Sequence, residues 1–182
     1  MSVEIFNIFT TIGALLIGVF GLLSILYSLF SKRPLKIFSY IHGKAYVFGL
    51  LITLGAVVMS LVYSNVYDYP PCVLCWYQRI FIYPQALIFA LAIVKKYPKV
   101  FVGQISMFLT LAGGLFALYH TMITYTGFDP LPCPATASCT QRYVFTLGFS
   151  TIPLMSLFLF IGLFSLSYAL IRSSRPQLST GN

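Results

Sequence analysis

Five apolar runs, each close to the length a helix needs to cross a membrane, divide this chain from end to end. A helix rises 1.5 Å per residue, so about 20 apolar residues cover the hydrocarbon core. The runs fall at 5–30, 45–64, 76–94, 100–126 and 144–171. In lipid every backbone N–H and C=O must be satisfied inside the protein, and apolar runs of this length achieve that as helices. An all-α membrane protein is the expected fold. Of 182 residues, 59% are apolar and 8% charged, against roughly 25% charged in soluble domains. A soluble fold of this size could not hide that much apolar surface.

The third run is the shortest and holds Arg79. Its outer end is expected at the interface or against a polar pocket. The first run has only Glu4 as an early charge, is too long for a signal-peptide core and shows no small-x-small cleavage site. It reads as an uncleaved helix.

The net charge of +8 is gathered in three clusters: Lys32, Arg33, Lys36 and Lys44; Lys95, Lys96 and Lys99; Arg172 and Arg175. All lie between or after apolar runs, as juxtamembrane charges do. No soluble basic domain supports a nucleic-acid partner; the expected partner is the lipid bilayer. The positive-inside rule places the clusters in the cytoplasm, the N-terminus outside and the C-terminus inside. The loops at 64–75 and 127–143 then face outward, and they hold or adjoin all four cysteines. A multi-pass protein of the bacterial plasma membrane, with both cysteine loops outside, suits that placement, because disulfides persist there and not in the cytosol.

The cysteines admit three readings: structural staples, a metal site or a redox relay. Cys72 and Cys75 form a CxxC ahead of the third run, where the helix dipole favours a thiolate. So short a ring constrains few conformations, which weakens the staple reading. Arg79, four residues past Cys75, would share its face and add positive charge. Cys133 and Cys139 have five residues between them in a Pro-rich loop, where a staple remains reasonable. The Cys133–Cys139 pair lacks zinc-knuckle spacing, no histidine lies nearby in sequence, and Trp76 stands where haem attachment needs His; no metal is expected. Two outward pairs can exchange by thiolate attack. A lipid-soluble quinone is a fitting electron sink. His120, about two turns before the outer end of the fourth run, is a candidate for the same pocket, although a helix–helix hydrogen bond would also explain it. His42, in the basic loop, reads as solvated. Pro84 and Pro153 read as helix kinks or starts, and Ala112-Gly113-Gly114 as a close helix approach.

The pattern Cys72-Val-Leu-Cys75-x-Tyr77-x-Arg79 resembles the DsbB family of disulfide bond formation proteins. His120-Thr121-Met122, then Cys139-Thr-Gln-Arg142 with Leu147-Gly148-Phe149 and Pro153, resemble its later segments in consistent order. The short second loop is similar to the BdbC branch. The resemblance implies a four-helix transmembrane redox domain over 37–172, with residues 1–36 an extra helix and basic loop and 173–182 a flexible tail. It implies that Cys133 meets a DsbA-like thioredoxin-fold oxidoreductase and that Cys139 passes electrons to Cys72. Cys75 would face the quinone, with Arg79 and His120 beside it. Ubiquinone or menaquinone from the membrane pool would be the acceptor. A DsbI-like protein with another partner, a vitamin K epoxide reductase-like protein and a non-catalytic scaffold with structural disulfides are the alternatives. The loop pair precedes CxxC in the epoxide reductases and follows it here, which favours DsbB.

Overall fold

The computed structural model describes residues 2–30, 44–128 and 138–173. Cys133, His42, Arg175 and the first part of the first basic cluster lie outside them. Among the described residues there are five long helices: α1 (Val3–Phe30), α2 (Ala45–Asn65), α3 (Val73–Lys95), α4 (Lys99–Thr126) and α5 (Ile152–Ser173). Each is long and apolar enough to span a membrane. A single isolated bridge between Thr146 and Ser150 is the only β pairing among the described residues. The expected all-α membrane architecture is what the chain forms.

Two boundaries differ from those read in the sequence. Helix α3 begins at Val73 with Cys72 as its N-cap, so Cys75 sits within the first turn. Helix α5 begins at Ile152, eight residues later than the apolar run suggests. The intervening stretch turns back on itself through Leu147 (φ 57°) and Gly148 (φ 76°), and the Ser150 N–H donates to Thr146 O at 2.8 Å. Apolarity alone does not distinguish such a turn from helix. Pro153 then occupies the first turn of α5, where a missing N–H costs nothing.

Helix α5 is central, packing on α4, α1 and α2, while α3 closes the ring between α2 and α4. Lipid tails are as apolar as leucine, so close packing rather than water exclusion holds such helices together. A Cβ on Gly113 of α4 would stand 2.3 Å from Phe160 Cζ of α5; the close approach expected at 112–114 is there. One on Gly49 would meet Phe89 at 2.7 Å. Buried polar groups add directed bonds: Gln85 Oε1 accepts from Ser106 Oγ at 2.7 Å and Thr110 Oγ1 at 3.3 Å, and Ser167 Oγ donates to Ser106 Oγ at 2.8 Å. These tie α3, α4 and α5 together. Pro84 lies inside α3, and the Gln85 side chain donates to Phe81 O beside it at 2.9 Å.

Candidate functional site

The start of α3 gathers the chemistry. Cys72 is extended (φ −71°, ψ 171°) and its carbonyl accepts the Trp76 N–H at 3.1 Å. That turn brings the two sulfurs to 3.2 Å as free thiols. His120 reaches them from α4, with Nε2 3.7 Å from Cys72 Sγ. The tautomer follows from its other neighbours. Nε2 lies 3.1 Å from Cys139 O, which can only accept, so Nε2 carries the proton. Nδ1 lies 3.0 Å from Gln78 Nε2 and accepts from it. Gln78 Oε1 in turn accepts from Ser156 Oγ of α5 at 2.6 Å.

Cys139 is disulfide-bonded and buried in one cluster with Cys72, Leu74 and Ile123. Its segment is pinned to the end of α4. Arg142 donates from Nε to Thr124 O at 3.0 Å and from Nη2 to Tyr125 O at 3.3 Å, satisfying terminal carbonyls that the helix leaves open. Thr124 Oγ1 and His120 both donate to Cys139 O. The short loop thus already lies against the CxxC pair.

Arg79 is one turn below Cys75 on α3. Its Nε donates to Ser60 Oγ of α2 at 2.8 Å and its Nη2 to Ser60 O at 3.1 Å. Its guanidinium stands 5.1 Å from the Trp76 ring centroid. A cavity of about 280 Å³ opens here, walled by Cys72, Cys75, Gln78, Arg79, His120 and Ser156 among others. Five of the six candidate residues, Cys72, Cys75, Arg79, His120 and Cys139, therefore meet in one place; Cys133 lies outside the described residues. Sequence reasoning passed over Ser60, Ser156 and the role of Gln78. Polar residues inside apolar runs were the available signal.

Cys72 precedes the membrane-spanning part of α3, and its thiol is lowered to about 4, chiefly by its hydrogen bond with Cys75; burial opposes this, and the His120 ring adds to the lowering. Cys72, Cys75 and His120 also place one donor atom each within 4.8 Å, a soft set that could hold a metal ion. Both ring nitrogens of His120 already have protein partners.

The family model described as disulfide bond formation protein DsbB matches residues 42–170. The chain is 37% identical over 124 residues (67% of this chain, 89% of the relative) to the "Probable disulfide formation protein C" of Halalkalibacterium halodurans. It is 40% identical over 118 residues (64% of this chain, 78% of the relative) to the "SPbeta prophage-derived disulfide bond formation protein B" of Bacillus subtilis. It is 35% identical over 125 residues (68% of this chain, 86% of the relative) to the "Probable disulfide formation protein C 1" of Bacillus anthracis. No solved structure matches. The match spans α2 to α5 and leaves α1 outside it. A CxxC at a helix entrance, a second cysteine segment folded onto it and this match lead to one conclusion: the chain belongs to the DsbB family of disulfide bond formation proteins.

Proposed function

We propose that this protein is a quinone-dependent thiol oxidase that reoxidises a DsbA-like thioredoxin-fold protein outside the plasma membrane. The observation that carries this reading is the continuous set from Cys139 through His120 and Cys72 to Cys75, ending at a cavity that Arg79 also lines. Cys133 pairs with Cys139 in this reading and takes the attack of the partner's thiolate. The partner leaves as a disulfide, and the freed Cys139 thiolate attacks Cys72 of a Cys72–Cys75 disulfide. Cys133 then displaces Cys72, which restores the Cys133–Cys139 disulfide and leaves the inner pair as two thiols. Cys139 disulfide-bonded with Cys72 and Cys75 reduced is the arrangement after that transfer.

The residues present fit a quinone, ubiquinone or menaquinone. The cavity is near the lower end of small-molecule sites, about 300–1,000 Å³, and a guanidinium borders it. The Tyr83 and Thr151 hydroxyls, buried without a hydrogen-bond partner among the described residues, belong to its wall. When bound, the quinone takes two electrons and two protons as Cys72 and Cys75 close to a disulfide. The chain's own part is to hold Cys75 and Arg79 at the cavity, keep Cys72 ionisable and exclude water. Arg79, fixed by Ser60, orients the headgroup; His120 holds a proton at Nε2 between Cys72 and the Cys139 carbonyl.

The test is quinone reduction by purified protein, driven by a reduced thioredoxin-fold partner. Native chain is expected to turn over, and Cys75→Ser and Cys133→Ser to fall to background. A native chain inert with both quinone classes, with Cys75→Ser changing stability alone, would leave the scaffold reading in its place.

A further inference from the structure

Helix α1 lies outside the family match, yet it forms one wall of the cavity. Phe9, Gly13 and Ile17 on α1 face that space, as do Leu51, Gly55 and Met59 on α2. Each set recurs every four residues, one face of a helix.

The glycines of α1 do two different jobs. A Cβ at Gly18 would stand 2.2 Å from Phe158 Cδ1, and one at Gly21 would stand 2.8 Å from Gly162 Cα. Those two are required for docking on α5. At Gly13, and at Gly55 on α2, a Cβ would have no atom within 4 Å. Packing does not demand glycine there, and a glycine inside a helix costs up to about 1 kcal/mol relative to alanine. What these two preserve is room.

The outer end of the cavity is covered. The Tyr63 hydroxyl is 3.0 Å from Asn7 Oδ1 and 2.8 Å from Thr10 Oγ1, joining α2 to α1. Around it Phe6, Tyr63, Tyr67, Tyr69 and Tyr143 stack or tilt against one another. Below this bridge α1 packs on α5 and α2 packs on α3 and α5, so the two helices part. At 1.5 Å per residue, Gly13 lies about 4–5 Å and Gly55 about 12 Å below the bridge. The opening therefore runs obliquely toward the bilayer midplane. A cavity of about 280 Å³ admits a quinone headgroup, but a chain of many isoprene units has to leave it sideways.

We propose that the window between α1 and α2, kept open by Gly13 and Gly55, binds the polyisoprenoid tail of a membrane quinone whose headgroup lies at the Cys75–Arg79 end. The added N-terminal helix is then a tail-binding wall that discriminates among quinones. This rests on the quinone reading of the site.

Trp76 is the single tryptophan, and its ring lies 5.1 Å from the Arg79 guanidinium, so a quinone bound there quenches its fluorescence without any turnover. Purified full-length chain is titrated with a ubiquinone and a menaquinone carrying several isoprene units, and with the same headgroups lacking tails. Native protein is expected to bind the tailed probes more tightly. Gly13→Leu and Gly55→Leu are expected to weaken tailed binding about tenfold or more and to leave tail-less binding unchanged. The alanine variants follow with a smaller shift. Leu115→Phe, on the lipid-facing side of α4 (68% exposed), changes neither. The window is overturned if the leucine variants bind tailed quinone like the native chain, or lose both probes equally. It is also overturned if native protein binds both probes alike, which would leave the opening to a lipid acyl chain. Saturable tailed binding without electron transfer would remove the oxidase reading and keep the window. No saturable quenching by either probe would remove both.

Discussion

His120 is held between a fixed acceptor and a side-chain amide that can exchange donor for acceptor. As it stands, Nε2–H donates to Cys139 O and Nδ1 accepts from the Gln78 amide. A second proton on Nδ1 needs an acceptor. Rotating the Gln78 amide by half a turn presents Oε1, and the Ser156 hydroxyl then accepts where it had donated. Beside His120, Cys72 carries the depressed thiol. Its ionised form is favoured by the fold, so its contribution to the stability of the reduced protein is fully present above the ordinary thiol range. That contribution is lost as pH falls through the lowered value, about 4. Thiolate absorbance of the reduced protein is expected to persist through neutral and mildly acid pH and to disappear in Cys72→Ser. Loss of that absorbance near the ordinary thiol value, about 8.5, would contradict the site's electrostatics.

Among the elements, the docking of α1 on α5 depends on backbone approaching backbone. At Gly21 an added side chain would meet Gly162 Cα at 2.8 Å and Ile161 O at 3.0 Å, neither of which can rotate away. Gly21→Val is expected to destabilise the protein by about 1–3 kcal/mol through overpacking, read as a lower denaturation midpoint in detergent. Gly13→Ala, with open space around it, is expected to lose no stability and to gain up to about 1 kcal/mol from helix propensity. Equal midpoints for the two would mean that α1 does not dock through this contact. The existence of each helix was legible from run length alone. The first residue of α3 and the late start of α5 were not, because Cys72 caps without a side-chain bond and no charge marks the break between the 146–150 turn and the helix that follows.

Taken whole, the molecule has a direction. The described members of the three basic clusters, Lys44, Lys95, Lys96, Lys99 and Arg172, fall at the helix ends opposite to Cys72 and Cys139, while Arg79 and Arg142 lie on the cysteine side. A reporter that works only in the cytoplasm is expected to be active at the 95–99 turn and after the last residue, and silent at the N-terminus. The reverse pattern would put the cysteines in a reducing compartment and end the oxidase reading.

What the sequence determined by itself was local. Five spans, their alternation and a CxxC at a helix entrance follow from run length, charge placement and spacing, because lipid imposes the same demand on each segment separately. The likeness to the DsbB family was legible for the same reason, in short motifs kept in order. Only the tertiary structure decided that His120 and the Cys139 carbonyl meet at Cys72, that Gln78 and Ser156 stand behind them, and that α1 walls the cavity. Those contacts join residues from 19 to about 140 positions apart. They depend on how each helix is rotated about its axis, which is set by where glycines such as Gly18, Gly21, Gly113 and Gly162 let backbones approach. No single segment carries that information, because close packing is a property of pairs of surfaces.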